Sequence, residues 1–304
     1  MELRARSFAE VEAFDPEAIW PGFIFAGQVT VLAGAGGSGK SFASYDLAAR
    51  VSTGRAMPDG SPGSEPGAVI IAGVEDSPEA AAVHRLTAAG ADLSRIMDAS
   101  ESPSGAPFTL DDLPWLREVS DQAGGARLLT IDTLSAVVDR PLTGVAYVRQ
   151  VMNGLHAFAR DTGAGVLVIH HLTKAGEVAG SKAIVDSVRQ VLTISKDPAD
   201  PRVRTLQVKK SNVAADSMPG VRFMLTGEGR ETTVRWLTTG ADLGEDSGGR
   251  VRIAAVLREA GRAMTAQEIA MITGIRYATV RVQLHRMSKS GQVLPTGRNS
   301  YTVS

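Results

Sequence analysis

VTVLAGAGGSGKSFASYDLAARVS, residues 29–52, is the stretch on which the reading of this 304-residue chain turns. An apolar run of strand type leads into GAGGSGKS at Gly34–Ser41, which has the spacing Gly, four residues, Gly-Lys-Ser, and a helix pattern follows. The spacing has a physical reason. Gly34, Gly36, Gly37 and Gly39 let the backbone curl with its amide hydrogens turned inward, and the N-terminus of the next helix adds partial positive charge, so the loop cradles phosphates. Gly34, Ala35, Gly36, Gly37, Ser38, Gly39, Lys40, Ser41 and Phe42 are the expected nucleotide-binding residues. Lys40 reaches the β and γ phosphates and the Ser41 hydroxyl ligates magnesium, so ATP and Mg2+ are the expected cofactors. The competing reading, a glycine-rich turn with a fortuitous lysine, leaves the flanking strand and helix unexplained.

The length suggests about two domains, and 43% apolar residues suffice for ordinary cores. With no cysteine the chain has neither disulfides nor a thiolate metal site. The N-terminal residues have no signal-type apolar core, and no window approaches the roughly 18 apolar residues of a membrane span. A cytoplasmic protein with no membrane association is expected. The net charge of -1 hides an asymmetry: residues 247–304 hold nine Lys or Arg and two Glu, a net +7, leaving -8 for residues 1–246. A basic tail on an acidic body suits a protein held near nucleic acid.

Residues 1–27 read as an aromatic-rich, irregular lead-in that packs on the core or on a neighbouring subunit. After the loop helix and a Gly/Pro-rich connection at 54–67, AVIIAG at 68–73 reads as a buried strand, and Ser77-Pro78 opens a helix. Ligands gather at the carboxyl ends of parallel strands. Glu75, just past this strand, is therefore placed to orient the water that attacks the γ phosphate; the alternative is a surface acid capping the helix with Asp76. ARLLTIDT at 126–133 is a second buried strand, ending in Asp132, which holds magnesium through water together with Ser41. GVLVIHH at 165–171 is a third; side chains alternate along it, so one of His170 and His171 faces the phosphates as a γ-phosphate sensor. A metal site there lacks a third ligand at suitable spacing. Beyond a flexible loop at 172–181, strands are expected near 189–194, 204–209, 221–226 and 232–238.

This order of elements resembles the RecA-like ATPase core. VIIAGVEDSPEAAAVHRL, VLVIHHLTK, AGSKAIVDSVRQVL and VKKSN look more narrowly like the RepA family of hexameric plasmid and phage replicative helicases, over about residues 15–240. The resemblance implies an α/β fold with a mostly parallel sheet, and a hexameric ring with ATP held between subunits. It implies Glu75 as catalytic base, His170 or His171 as sensor, and a basic finger from the neighbouring subunit matched best by Lys210 and next by Lys209. Loops 135–144 and 172–181 correspond to those facing a central channel, where Lys174 and Lys182 meet single-stranded DNA. Ala179 stands where the resemblance expects an arginine before Gly-Ser, and the finger is lysine rather than arginine.

The domains expected are a lead-in at 1–27, the ATPase domain at 28–240, a linker at 241–249 and a small tail domain at 250–304. Three helix patterns and a hairpin pattern in the tail resemble a winged helix-turn-helix, with the third helix as duplex reader. A capping box of Thr265 and Glu268 opens the second helix, and Val280, Leu284 and Met287 share one face of the third. Arg276, Tyr277, Arg281 and Arg286 on that helix and Arg298 at the wing tip are the candidate DNA contacts. The rival reading makes this domain an oligomer or protein contact.

Overall fold

The structure is a computed structural model; it describes residues 16–73, 81–198, 200, 202–212 and 219–237, and in the tail 253–254, 256–258, 260–273, 277–289, 292–297 and 300–303. The chain divides into two compact units, Met1–Arg235 and Trp236–Ser304. The strands in chain order are β1 (Ala18–Trp20), β2 (Ile24–Phe25), β3 (Val29–Gly34), β4 (Ala68–Ala72), β5 (Ile96–Ala99), β6 (Ala126–Ile131), β7 (Gly165–His171), β8 (Gln190–Lys196), β9 (Val203–Ser211), β10 (Val221–Thr226) and β11 (Thr233–Leu237). β3 to β11 form one sheet in the order β11-β10-β9-β8-β3-β7-β6-β4-β5. From β8 to β5 every pairing is parallel, and β9 and β10 continue antiparallel. This is a mixed α/β fold with a RecA-like, mostly parallel core.

The inner parallel strands β3, β4, β6 and β7 read as apolar runs because helices cover both of their faces. All six residues of β3 are buried. Helices α1 (Lys40–Thr53), α2 (Val83–Ala88), α3 (Leu113–Gln122), α4 (Val145–Thr162) and α5 (Ala183–Ser187) make the connections. Along α4, Val148, Val151, Met152, Leu155, Phe158 and Ala159 recur at three- and four-residue spacing and are buried. They pack with Leu113 and Leu116 of α3 on Val29, Val31, Ala33, Val166 and Val168. Burying each such Leu or Phe contributes about 1.5–3 kcal/mol. Strand alternation turns Thr30, Leu32, Gly34, Leu167, Ile169 and His171 to the opposite face, where α1 lies.

Three features of the first unit depart from the sequence-based expectation. The described part of the lead-in is not irregular: β1 and β2 form a hairpin on this chain's own core, with Ile19, Trp20, Phe23 and Ile24 buried. Gln190 Nε2 donates to the Gly22 carbonyl at 2.6 Å and Trp20 Nε1 to Asp59 at 3.0 Å. Next, the edge strand β5 has no counterpart among the strands expected from the sequence; only Ala99 of its four residues is buried, so it carries no apolar run. Finally, residues 172–181 are tied into a compact turn by Thr173 N to Glu177 O at 2.7 Å, Ala179 N to His171 O at 3.0 Å and Ser181 N to Leu142 O at 2.7 Å.

In the second unit, helical residues between 253 and 260 precede β12 (Met264–Thr265), α6 (Ala266–Thr273), α7 (Tyr277–Lys289), β13 (Val293–Gly297) and β14 (Ser300–Val303). The small antiparallel sheet has the order β12-β14-β13. The two-residue β12 was absent from the sequence reading. Val280, Leu284 and Met287 are buried together with Ile253, Leu257, Ile269 and Val293, as their shared face requires. The capping box closes as expected: Thr265 N donates to Glu268 Oε2 at 2.7 Å, and Glu268 N donates to Thr265 Oγ1 at 3.2 Å.

The Thr265 backbone N–H, with the Thr265 hydroxyl and Arg262, pulls the Glu268 carboxyl from 4.5 down to about 2. A carboxyl depressed in the folded state contributes stability in full above its unfolded value and loses it as pH falls through the folded one, here between about 4.5 and 2. Carboxyl NMR is expected to show Glu268 titrating near 2, and Thr265→Ala to move the midpoint back toward 4.5. A native midpoint at 4.5 would contradict the closed box. Among the described residues no helix is long and apolar enough to cross a membrane.

Candidate functional site

The phosphate loop joins the C-terminal end of β3 to α1. Ala35, Gly36 and Gly37 are exposed, whereas Ser38, Gly39 and Lys40 are buried. Gly39 caps α1 in the left-handed region, with φ 93, and no side chain caps the helix. Its first N–H groups are therefore left to a ligand. Lys40 Nζ donates to the Gly34 and Ala35 carbonyls at 3.0 and 3.1 Å. The buried Ser38 Oγ has no hydrogen-bond partner among the described residues. A buried ammonium held by carbonyls at the positive end of a helix is a site for an anion, and a nucleotide phosphate chain fits it.

Register places the second acid. Ile131 of β6 is level with Ala72 of β4 and Val168 of β7, and Val168 is level with Val31 of β3. Asp132, one residue further, lies at the same carboxyl edge as the phosphate loop, two strands from β3 or about 10 Å across the sheet. Its N–H donates to the Ala72 carbonyl at 3.0 Å, and the Asp132–Thr133 peptide is cis. Magnesium commonly takes one or two protein ligands and completes its shell with phosphates and water. Ser41 and Asp132 are a fitting pair for that role.

Glu75 lies outside the described residues. The chain that leads to it leaves β4 at Gly73, a position the sequence reading passed over. Gly73 has φ +114, and a Cβ there would lie 2.4 Å from the Asp132 carbonyl oxygen and 2.9 Å from its nitrogen. Both contacts are backbone, so neither can swing away. Gly73→Ala is expected to cost about 1–3 kcal/mol from the left-handed conformation alone, and to displace Asp132. A lowered Tm with weakened magnesium-dependent nucleotide binding is the expected result; an unchanged Tm would show that the approach is looser.

The two histidines part company. His170 is 3% exposed and lines a cavity of about 400 Å3 with Ser135, Leu142 and Ala179. Its Nε2 sits 2.9 Å from the Ala179 carbonyl. A carbonyl only accepts, so Nε2 carries the proton. Burial lowers the pKa of His170, the ring is neutral, and Nδ1 is a buried acceptor without a partner among the described residues. His171 points to the opposite face, the face of α1, and is level with Gly34.

The two lysines differ likewise. Lys210 Nζ donates to the Val185 and Val188 carbonyls, both at 2.8 Å, capping the end of α5 within its own subunit. Lys209, more exposed, reaches Glu177 at 3.5 Å and the Gly176 carbonyl at 3.4 Å on the 172–181 turn. Lys174 and Lys182 are exposed. In the second unit Tyr277 is exposed on α7 with Arg281 stacked over its ring at 5.9 Å. Arg276, Arg298 and the Arg286 side chain lie outside the described residues. Sequence reasoning also missed Arg85 of α2, whose guanidinium stands 4.5 Å over the ring of Phe42; nothing local signals such a contact.

Comparison with known proteins gives the family. Residues 2–177 match the AAA domain. The DNA repair protein RadA of Escherichia coli strain K12 is 31% identical over 107 residues, 34% of this chain and 23% of RadA. RadA of Pseudomonas aeruginosa is 30% identical over 107 residues, with the same coverage of 34% and 23%. The chain thus spans less than a quarter of the length of these curated relatives. Because the AAA domain match runs over more than half of the chain and takes in the phosphate loop, Asp132 and both histidines, this chain belongs to the AAA domain family, as a RecA-like P-loop ATPase.

Proposed function

We propose that this protein is a cytoplasmic, Mg-ATP-dependent motor on DNA, a ring-forming helicase of RepA type. The observation that carries the reading is the joining of the two loops assigned to the channel. Ser181 N donates to the Leu142 carbonyl at 2.7 Å, and the 172–181 turn starts from β7, the strand beside the phosphate loop. A change at the γ phosphate reaches both loops through His171. Exposed Lys174 and Lys182 then supply phosphate contacts on single-stranded DNA that carry no sequence information.

In the site, Lys40 grips the β and γ phosphates, Ser41 and Asp132 hold magnesium, Glu75 orients the attacking water and His171 senses the γ phosphate. Lys209 is a better candidate for the finger than Lys210, whose ammonium is committed to the end of α5. The second unit is read as a winged helix-turn-helix. Its order of helix, short strand, two helices and hairpin supports this, and α7 presents Tyr277 and Arg281 for duplex DNA. Arg276, Arg286 and Arg298 are proposed as further DNA contacts.

Strand displacement on a forked duplex tests the motor. ATP- and magnesium-dependent opening is expected; ATP turnover that DNA stimulates without any opening would defeat it. A second reading, a RecA-like recombination or annealing ATPase, draws on the likeness to a DNA repair protein. Electron microscopy with nucleotide and single-stranded DNA separates the two, since closed hexameric rings support the helicase and open filaments the alternative. Tight, sequence-selective duplex binding that survives high salt would favour a third reading, an ATP-switched DNA-binding regulator.

A further inference from the structure

An arginine stands at the phosphate loop without belonging to any motif. A Cβ built on Gly39 would lie 3.3 Å from both Cδ and Nε of Arg204, and equally close to Cε2 of Phe223. The stem of Arg204 therefore runs along the backbone of the loop beside the N-terminus of α1. Topology brings it there. Gly34 of β3 is level with Ile194 of β8, and Lys196 of β8 pairs with Arg204, so the start of β9 falls at the carboxyl edge where the loop sits.

The electrostatics of this position are unbalanced. Among the described residues the Arg204 guanidinium makes one hydrogen bond, from Nη1 to the Arg202 carbonyl at 2.7 Å, and no ion pair. Its Nε is buried and has no partner among the described residues. The acids that follow β8 are engaged elsewhere, Asp197 with Arg222 at 2.6 Å and Asp200 with Arg202 at 2.9 Å. Burial lowers the pKa of Arg204, with no carboxylate among the described residues to offset it, yet a guanidinium stays charged. An uncompensated, partly desolvated cation beside the positive end of a helix costs free energy in the protein by itself. Such an arrangement is balanced when an anion arrives.

We propose that Arg204 is a nucleotide-binding residue supplied by the same subunit, contacting the phosphate chain of ATP or ADP from the β9 side of the loop. Its planar fork of N–H donors matches phosphate oxygens in pairs, which a lysine does not. The proposal rests on the reading of Gly34–Ser41 as an ATP site.

The test compares the native full chain with Arg204→Gln, Arg204→Lys and Lys40→Ala, by equilibrium titration with fluorescent ATP and ADP analogues and by melting with and without nucleotide. Arg204→Gln is expected to weaken both nucleotides about 10-fold or more, with part of the loss recovered in Arg204→Lys. Without nucleotide Arg204→Gln melts at or above the native Tm, because the unbalanced charge is gone, while the rise in Tm on adding nucleotide shrinks. A merely structural arginine gives the reverse: a lower Tm without nucleotide and an undiminished rise. That result, or native affinity in Arg204→Gln while Lys40→Ala fails to bind, overturns the proposal and leaves the ATP site standing. A native chain that binds neither nucleotide overturns both.

Discussion

Lys40→Ala is expected to bind ATP about 100-fold more weakly than the native chain while keeping its fold. Lys40 is 6% exposed, and its ammonium is held by the Gly34 and Ala35 carbonyls at the end of β3. A charge-assisted hydrogen bond to phosphate is worth about 1.5–3 kcal/mol, and about 2.7 kcal/mol corresponds to 100-fold in affinity. The fold tolerates the change because alanine is the best helix former and Lys40 is the first residue of α1. Titration with a fluorescent ATP analogue, paired with circular dichroism, checks both halves. Native affinity in a folded Lys40→Ala protein would remove phosphate binding from this loop and with it the functional reading built on the loop.

Glu75→Gln should behave differently, keeping nucleotide affinity and losing turnover by about 10²- to 10⁴-fold, the usual contribution of a positioned general base. The chain passes Asp132 at Gly73, within 2.4 Å of its backbone as measured from a built Cβ, and Glu75 follows two residues later. Asp132→Asn separates the two acids. It should weaken magnesium-dependent binding as well as turnover, whereas Glu75→Gln should leave the magnesium dependence of binding as it was. Asp76→Asn is the control for a helix-capping acid and should cost little turnover. Full activity in Glu75→Gln with loss in Asp76→Asn would reassign the base to the neighbouring residue.

How legible the site was depended on how local its parts are. The glycine spacing, Lys40 and Ser41 lie within one loop, and Asp132 ends an apolar run long enough to read as a buried strand. His170 and His171 could be placed at a strand end but not told apart. Alternation says that they face opposite ways, not which way either faces, until the neighbours of β7 are known. Lys209 and Lys210 posed the same problem on β9, and only the carbonyls at the end of α5 show where Lys210 is spent. β5 and β12 went unread because short strands with few buried residues have no run or period to detect.

Sequence alone determined the α/β class, the phosphate loop and the strand-end acid, because each is written in contiguous residues whose spacing matches the period of the element that carries them. It also determined the small tail core, through the helical spacing of Val280, Leu284 and Met287. Tertiary structure decided the strand order that sets β7 between β3 and β6, the packing of the lead-in hairpin on this chain's own core, the separate environments of the two histidines, and the approach of Arg204 to Gly39. The reason is sequence distance. Arg204 and Gly39 are brought together by two strand pairings, and the energy of such pairings depends on which strands meet and in what register, which no local pattern records.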